Sequence, residues 1–349
     1  MTYGLVPDSL LENPLRVKED QVKDYLFKVM NFHRDRTPYW ERAFKDVDLD
    51  SLFDSRSLPA VVENLLNAGL SVEENYLRSN WLEFFPRDYR GKVRFYQSSG
   101  TTRERAIGHW DRNYVDYLVA YLKAALDELY NFESLYEGER IRAVAHGPYG
   151  WYQDEISELV WRYSGYLYFI GMETDGLKKV LAREGVDAVL RILDPLVRYT
   201  KRVMEADRIN LVRSAPPLMG MFEPYAENIK AVILSGVGID DSLFQALSEK
   251  FPNSTLVPLY GYYLFGDLVG LRRGSKFVYY PNWPFTVIYP VEKSEDGYRV
   301  LPPGRRGRLA LIVARPEVLM IKVEDETVER VKGEGAFRCD GFADPKRSV

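Results

Sequence analysis

The sequence predicts an α/β protein with layered, mostly parallel sheets, flanking helices and a C-terminal β-rich subdomain built as a distorted barrel. Three observations carry this prediction. Between residues 140 and 260, short apolar segments alternate with amphipathic ones. After residue 275, apolar segments follow one another without helical patterns between them. The chain also has 349 residues with 46% apolar content, enough for a large core.

The first ninety residues are predicted to be helical. Apolar residues recur three and four positions apart from Gln21 to Phe32 and from Val61 to Gly69. Between these segments, the run Thr37-Pro38-Tyr39-Trp40 interrupts the helical pattern and adds aromatic rings.

A hairpin and a helix follow. Val93 to Gln97 and Arg105 to Trp110 have the composition of two strands, and they flank the run Ser98-Ser99-Gly100-Thr101-Thr102. This run offers many N–H and O–H donors, which suits a polyphosphate, although an ordinary surface turn has the same composition. It matches neither the Walker nor the dinucleotide pattern of glycines. Asp111 is placed to cap an amphipathic helix that follows.

The alternating region supplies the parallel sheet. Its predicted strands are Ile141 to Ala145, Leu167 to Met172, Asn210 to Ser214, Ala231 to Leu234 and Thr255 to Leu259. Its predicted helices are Asp175 to Arg183, Val186 to Met204 and Asp241 to Lys250.

The C-terminal strands are predicted at Lys276 to Tyr280, Thr286 to Val291, Gly307 to Ala314, Leu319 to Glu324 and Thr327 to Val331. We therefore divide the chain into an α/β core over residues 1–274 and a β-rich subdomain over residues 275–349.

Composition excludes several classes of protein. The net charge of −4 without a long basic run argues against nucleic-acid binding. One cysteine, Cys339, and three histidines exclude a disulfide framework and a cysteine-rich zinc site. We find neither a targeting pattern nor an apolar run of membrane-spanning length, so we expect a cytoplasmic protein that does not enter the membrane.

Glycines and aromatic residues follow several predicted strands. Ser235-Gly236-Val237-Gly238, Tyr260-Gly261-Tyr262-Tyr263 and His146-Gly147-Pro148-Tyr149-Gly150-Trp151 each come directly after a strand. Ligands of parallel sheets bind at the carboxyl ends of strands, where glycine admits a flat ring and tyrosine stacks on it. These loops and the run at Ser98 predict a nucleotide-sized pocket.

The order of these motifs resembles the adenylate-forming superfamily of acyl-CoA synthetases. The SSGTT loop is followed by a strand ending in Ser-Gly, by Tyr-Gly after the next strand, by an Asp after an apolar strand, and by Asp-Gly-Phe-Ala-Asp. The closer likeness is to phenylacetate-CoA ligases, coenzyme F390 synthetases and the acyl-protein synthetases of bacterial luminescence. It extends from about residue 22, through the segment HRDRTPYWERAF, to the C-terminus.

The resemblance implies that a carboxylate attacks the α-phosphate of ATP, with Mg²⁺ present, to give an acyl-adenylate and pyrophosphate. The acid is aryl or acyl, and the acyl group then passes to CoA or to a protein thiol. Ser98, Ser99, Gly100, Thr101 and Thr102 would hold the β- and γ-phosphates. The adenine and ribose would contact Ser235, Gly236, Val237, Tyr260, Gly261, Tyr262 and Asp325.

The resemblance also suggests residues of the acid pocket. Trp151 lies where these ligases have an aromatic residue near the carboxylate. Tyr149 in the same loop is a further candidate, and Met219 is a candidate apolar wall. His146 is a histidine at a predicted strand end. A lone histidine or a pair of methionines is more often part of the core than a ligand-binding residue.

The sequence departs from the family at four places. Arg103-Glu104-Arg105 stands where the family has a lysine, and Arg103 or Arg105 would neutralise phosphate instead. Leu264 replaces the glutamate that orients the metal, and Asp267 is the nearby carboxylate for Mg²⁺. Gly341-Phe342 lacks the ribose-contacting arginine, for which Arg338 is a candidate. The C-terminal lid domain is expected to be absent.

Two functions remain open at this point. The first is an acyl-adenylate-forming ligase, acting alone or as a homodimer, in which Cys339 either receives the acyl group or is an inert buried residue. The second is a non-catalytic homologue that binds a nucleotide or an acyl-adenylate as a sensor or scaffold.

Overall fold

The computed structural model describes residues 12–97, 106–172, 180, 183–236 and 238–347. The chain divides into two compact units. The first unit comprises Met1–Phe95, Ile107–Tyr117 and Phe277–Val349, and the second comprises Tyr96–Ala106 and Leu118–Lys276.

The N-terminal helices belong to the first unit. They are α1 (Glu19–Arg34), α2 (Pro38–Ala43), α3 (Leu49–Phe53), α4 (Leu58–Asn67) and α5 (Glu74–Ser79), followed by a 3₁₀ helix at Trp81–Phe84. Both predicted helical segments are confirmed, and so is the interruption between them. Helix α1 ends at Arg34, and Pro38 opens the next helix. His33 Nε2–H donates to the Arg315 carbonyl at 2.8 Å, so Nδ1 accepts from the Thr37 hydroxyl at 2.7 Å.

The strands of the first unit form an antiparallel sheet in the order β11-β10-β12-β13-β14-β9. They are β9 (Lys276–Tyr279), β10 (Thr286–Ser294), β11 (Gly297–Val300), β12 (Arg306–Arg315), β13 (Val318–Val331) and β14 (Gly341–Arg347). The two strands predicted from Leu319 to Glu324 and from Thr327 to Val331 are in fact one strand, β13. Its charged middle section projects outward, so the charges do not end the strand.

Helices α1 and α2 pack on strands that lie about 280 residues later in the chain. Tyr25 donates its hydroxyl to the Ala314 carbonyl at 2.9 Å, and Trp40 donates Nε1–H to the Leu319 carbonyl at 2.9 Å. The apolar face of α1, including Val22, Leu26 and Val29, is fully buried. The first and last segments of the sequence therefore share one core, while the predicted division at residue 274 stays a prediction.

The second unit contains the predicted parallel sheet. Its strands are β3 (Arg142–Gly147), β4 (Tyr166–Gly171), β5 (Leu211–Ser214), β6 (Ala231–Leu234), β7 (Thr255–Tyr262) and β8 (Gly266–Arg273). They lie in the order β8-β7-β6-β5-β3-β4, and the pairs from β4 to β7 are parallel. All five predicted strands are confirmed. Two strands before this sheet, β1 (Val93–Gln97) and β2 (Ile107–Asp111), form the predicted hairpin.

Helices flank the parallel sheet. They are α6 (Arg112–Tyr130), which begins in the first unit, α7 (Trp151–Arg162), α8 (Val186–Ala206) and α9 (Asp241–Lys250), with 3₁₀ helices at Phe132–Tyr136 and Pro216–Asn228. Asp111 caps α6 as predicted, since its Oδ1 accepts from the Asn113 N–H at 2.7 Å. The predicted helix from Asp175 to Arg183 lies largely outside the described residues.

One core cluster fixes the sheet against the helices on one of its faces. Val144, Val212 and Val232 of neighbouring strands pack with Met219 and Phe222 of the long 3₁₀ helix and with residues of α8 and α9. The predicted fold class is confirmed by this architecture and by the C-terminal strands. None of the helices in the described part of the chain is long and apolar enough to cross a membrane.

The buried indole of Trp40 provides a test of the first unit. The Trp40→Phe change should cost about 3 kcal/mol of unfolding free energy, because the Leu319 carbonyl loses its donor and a cavity replaces part of the ring. The same change at Trp161, which is 58% exposed, should cost less than about 0.5 kcal/mol. Denaturant titration of both variants measures the difference, and equal midpoints would contradict this packing.

Candidate functional site

The carboxyl ends of the parallel strands bring several predicted residues together. Gly147 pairs with Gly171 across β3 and β4, and Leu234 pairs with Pro258 across β6 and β7. The residues that follow these pairs therefore emerge at one edge of the sheet. Ser235, Gly236 and Tyr260 are at this edge, as predicted, whereas Val237 lies outside the described residues.

The segment that begins at Tyr260 is predicted to be a loop, but its first residues belong to a strand. Strand β7 continues to Tyr262 and then turns back into β8, so that Gly261 pairs with Asp267 and Tyr262 with Gly266. The sequence does not indicate β8, because Gly266 and Asp267 are typical turn residues. Gly266 does end the turn, with a φ of +83°. Tyr262 stacks on Phe265, with ring centroids 5.3 Å apart.

Trp151 approaches this hairpin from the start of α7. A Cβ placed on Gly261 would lie 3.8 Å from the Trp151 ring and would overlap the Asp267 carboxylate. Glycine at this position therefore lets the indole, the β7 backbone and Asp267 come together. These contacts put Trp151, Gly261 and Asp267 in one place, although the sequence assigned them to different parts of the pocket.

The face of the sheet covered by α7 contains a buried ionic cluster. Arg213 on β5 bonds to Glu155 at 3.0 Å and to Asp267 of β8, and its guanidinium lies 3.9 Å from the centre of the Tyr152 ring. None of these three charged residues is more than 2% exposed. Burial, followed by the neighbouring Asp267 charge, raises the pKa of Glu155 well above its ordinary value. One guanidinium thus faces two carboxyls.

Tyr152 connects this cluster to two further strands. Its hydroxyl donates to the His146 carbonyl on β3 at 2.9 Å and lies 3.0 Å from Ser235 Oγ, after β6. A Cβ on Gly147 would overlap the Tyr152 ring, so the glycine makes room for it. One tyrosine and one arginine therefore connect β3, β5, β6 and β8 where the candidate loops begin.

His146 is held in the opposite face of the sheet. Thr200 donates its hydroxyl to the Leu196 carbonyl at 2.8 Å, so its oxygen accepts from His146 Nε2–H at 2.8 Å. Nδ1 then accepts from the Ser214 hydroxyl at 3.0 Å. Both ring nitrogens are used within the core, and burial lowers the pKa of His146 to about 4. His146 is thus a buried neutral side chain, as Met219 is a fully buried core residue.

Tyr149 and Tyr96 border the same edge of the sheet. Tyr149 is 65% exposed, and its ring covers the backbone of Gly171, where any side chain would overlap it. Tyr96 on β1 donates its hydroxyl to Asp154 of α7. Gln97, the next residue, is the last one described before the predicted phosphate loop, and Ser98 to Arg105, including Thr101, Arg103 and Arg105, lie outside the described residues.

Two predicted nucleotide contacts belong to the first unit. Asp325 lies on β13, where its side chain is 78% exposed and pairs with Arg308 at 3.3 Å. Arg338 is an exposed residue before β14. Their assigned roles at the ribose stay predictions.

The residues present do not fit a magnesium ion at Asp267. Its carboxylate accepts from Arg213, and Leu264, at the position of the expected glutamate, is buried. Among the described residues, no group of three or more histidine, cysteine, aspartate or glutamate side chains is arranged to hold a metal.

The sequence contains two signals for the ionic cluster. Tyr152, Glu155, Ile156 and Leu159 are spaced as one helix face, which places a glutamate among apolar residues. Arg213 interrupts an otherwise apolar strand. A positive and a negative charge in two buried patterns indicate a pair, but only the fold shows that they meet.

Comparison with solved structures identifies the class of fold. The chain is similar to 2-hydroxyisobutyryl-CoA ligase, an enzyme whose structure was solved in an open conformation with 2-HIB-AMP and CoA: the TM-score is 0.64, with 10% identity over 96% of this chain and 75% of the ligase. The same ligase in the thioesterification state gives a TM-score of 0.63, with 12% identity over 93% of this chain and 66% of the ligase.

The chain thus has the fold of an adenylate-forming CoA ligase, which confirms the predicted resemblance at the level of the fold. It spans between about two thirds and three quarters of the length of these ligase chains. A scan of protein-family models and a search of curated proteins each find no match.

Replacing Arg213 tests the ionic cluster. The Arg213→Met change should destabilise the protein by about 3 to 5 kcal/mol, because it leaves Asp267 buried without a cation. Arg213→Lys should cost less unfolding free energy, because the ammonium keeps the positive charge although it lacks the forked geometry of the guanidinium. Arg198→Met is the matched control, because Arg198 is exposed and pairs with Asp194 one helical turn away, and it should cost less than about 0.5 kcal/mol. Similar losses for Arg213→Met and Arg198→Met would contradict the cluster.

The His146 environment predicts a pH dependence. The folded pKa of about 4 lies below the ordinary value of 6.5, so the unfolded chain takes up a proton first as the pH falls. Stability from this residue is present above pH 6.5 and is lost towards pH 4, with about 2 kcal/mol lost between pH 7 and pH 5. His146→Gln should remove that part of the pH dependence, measured by urea unfolding at both pH values. An unchanged slope in the variant would refute the assignment.

Proposed function

We propose that the chain activates a carboxylic acid as an acyl-adenylate with ATP and passes the acyl group to CoA. The observation that carries this proposal is the convergence of Trp151, Ser235, Gly236 and the Tyr260–Gly261 backbone at the carboxyl edge of a sheet whose fold matches an acyl-CoA ligase. These ligase structures contain 2-HIB-AMP and CoA. An aryl acid and an acyl acid suit this proposal equally well as the substrate.

The residues at the edge suit the binding of a nucleotide. Gly236 has a φ of +84°, a conformation that glycine adopts without strain and that bends the chain away from β6. Tyr260 and Trp151 offer aromatic rings beside Gly261. We assign the phosphates to Ser98 to Thr102, with Arg103 or Arg105 as the neutralising cation, because β1 leads into that loop from Tyr96.

The residues of this chain would contribute to catalysis mainly by holding the acid and the nucleotide in position. A fixed cradle of N–H and O–H donors stabilises charge on the transferred phosphorus without needing to reorganise. Holding the acid and the nucleotide side by side removes the entropy cost of bringing them together. The ionic cluster keeps the strand ends that carry these loops in register, so Arg213 acts as a positioning residue.

CoA is a better acceptor for this proposal than Cys339. The Cys339 thiol is 1% exposed and donates to the Val17 carbonyl at 3.2 Å. Burial, followed by the charges of Glu19 and Asp340, raises the pKa of the thiol, which disfavours the thiolate nucleophile. These contacts support the reading of Cys339 as a structural residue.

A specific observation favours a second candidate, a non-catalytic nucleotide-binding homologue. Leu264 is buried where the family has its metal-orienting glutamate, and Asp267 is already paired with Arg213. A chain with such a site would bind AMP or an acyl-adenylate without turnover.

Pyrophosphate exchange separates the two candidates. The wild-type protein should exchange labelled pyrophosphate into ATP only when a suitable acid is present. Thr101→Ala should lower the exchange at least about tenfold, since one phosphate donor is lost. Thr255→Ala, at the amino end of β7, is the matched control and should leave exchange unchanged. Tight binding of an acyl-adenylate analogue without exchange across a broad panel of acids would favour the second candidate.

A further inference from the structure

Tyr96 of strand β1 holds the start of helix α7. Its hydroxyl donates to the carboxylate of Asp154, in the first turn of the helix. Its ring lies against the helix cap, because a Cβ added to Gly150 would be 3.0 Å from Tyr96 Cδ1. Gly150 also has a φ of +108°, so this cap needs glycine for its backbone as well as for the ring. The contact joins the end of β1 to the helix that begins at Trp151.

The first turn of α7 is thus held on two sides. Tyr152 anchors the side that faces the sheet, through the bonds of its buried hydroxyl. Gly150 and Asp154 are one turn apart at about 3.6 residues per turn, so they lie on the same side of the helix, away from Tyr152. Trp151 comes between these two sides in the helical order, and from there it approaches Gly261.

We infer that Tyr96 is a positioning residue, which fixes the Trp151 ring at the carboxyl edge of the sheet through its bond to Asp154. The inference rests on the proposed function, in which Trp151 and Gly261 border the nucleotide. Tyr96 acts through the first turn of α7 and needs no contact with a ligand of its own.

The chemistry of the bond suits this role. A hydrogen bond from a hydroxyl to a carboxylate is stronger than one between neutral groups. A misplacement of about 1 Å at a reacting centre can cost about a hundredfold in rate. Loss of one such bond at the start of α7 should therefore affect turnover more than it affects the stability of the whole protein.

The chain offers a matched control for the Tyr96 bond. Tyr166, the first residue of β4, donates its hydroxyl to Asp207 at 2.6 Å. It belongs to the same compact unit as Tyr96, but it lies at the amino end of a parallel strand, away from the carboxyl edge. Tyr166→Phe thus removes the same kind of bond and leaves the start of α7 intact.

Pyrophosphate exchange tests the inference in the whole chain. Tyr96→Phe keeps the ring and removes only the hydroxyl, so kcat for exchange should fall at least about tenfold while KM for the acid changes less than about twofold. Tyr166→Phe should leave both constants unchanged. Asp154→Asn keeps an acceptor oxygen and should lose less activity than Asp154→Ala. The double variant Tyr96→Phe/Asp154→Ala should be as active as Asp154→Ala alone, because the two side chains act as one unit.

Denaturant titration separates positioning from a general loss of folded protein. Tyr96→Phe and Tyr166→Phe should shift the unfolding midpoint by similar amounts. Equal losses of exchange in these two variants would overturn the inference, and so would additive losses in the Tyr96→Phe/Asp154→Ala double variant.

Amide hydrogen exchange distinguishes this inference from the proposed function. The Asp154 amide donates to the Gly150 carbonyl at 3.1 Å, and Tyr96→Phe should speed its exchange at least about tenfold while the amides of α9 stay unchanged. Faster exchange of this amide in a protein without pyrophosphate exchange would keep the bond as the anchor of α7 and contradict the ligase activity. Acid-dependent pyrophosphate exchange that Tyr96→Phe leaves unchanged would keep the proposed function and overturn the role of Tyr96.

Discussion

A guanidinium buried with two carboxyls constrains the second unit more than any single apolar contact, because each group has left water and needs the others. Arg213, Glu155 and Asp267 come from a central strand, a covering helix and an antiparallel strand. Tyr152 then extends the network to β3 and to Ser235. The strand ends that present the candidate loops are thus fixed by polar groups that have specific geometry, in addition to apolar packing that is less directional.

This constraint has a chemical consequence at the edge of the sheet. The carboxylate of Asp267 is used within the protein, because it pairs with the permanently charged guanidinium of Arg213. The first unit contains a comparable arrangement, in which Arg315 lies 3.9 Å from the centre of the Tyr114 ring and pairs with Glu317 at 3.0 Å. Buried arginines stacked on tyrosine therefore organise both units.

The two faces of the parallel sheet are specialised. On one face, His146, Thr200 and Ser214 form a neutral chain of hydrogen bonds within an apolar cluster. On the other face, the ionic cluster lies under α7. The neutral and the charged polar groups thus lie on opposite faces of the sheet.

The alternation of strands and helices, the β1–β2 hairpin and the glycine-rich strand ends can be predicted from the sequence alone, because periodicity and glycine content are local properties. The sequence does not indicate β8, and it predicts two strands where the structure has the single strand β13. A turn-like residue such as Gly266 and a charged stretch both fit into strands once neighbouring strands supply hydrogen bonds. Only the tertiary structure decided that α1 packs against β12, that His146 is a core residue and that Arg213 meets Asp267. These contacts join residues far apart in the chain, so their energies depend on the completed fold and leave no local pattern in the sequence.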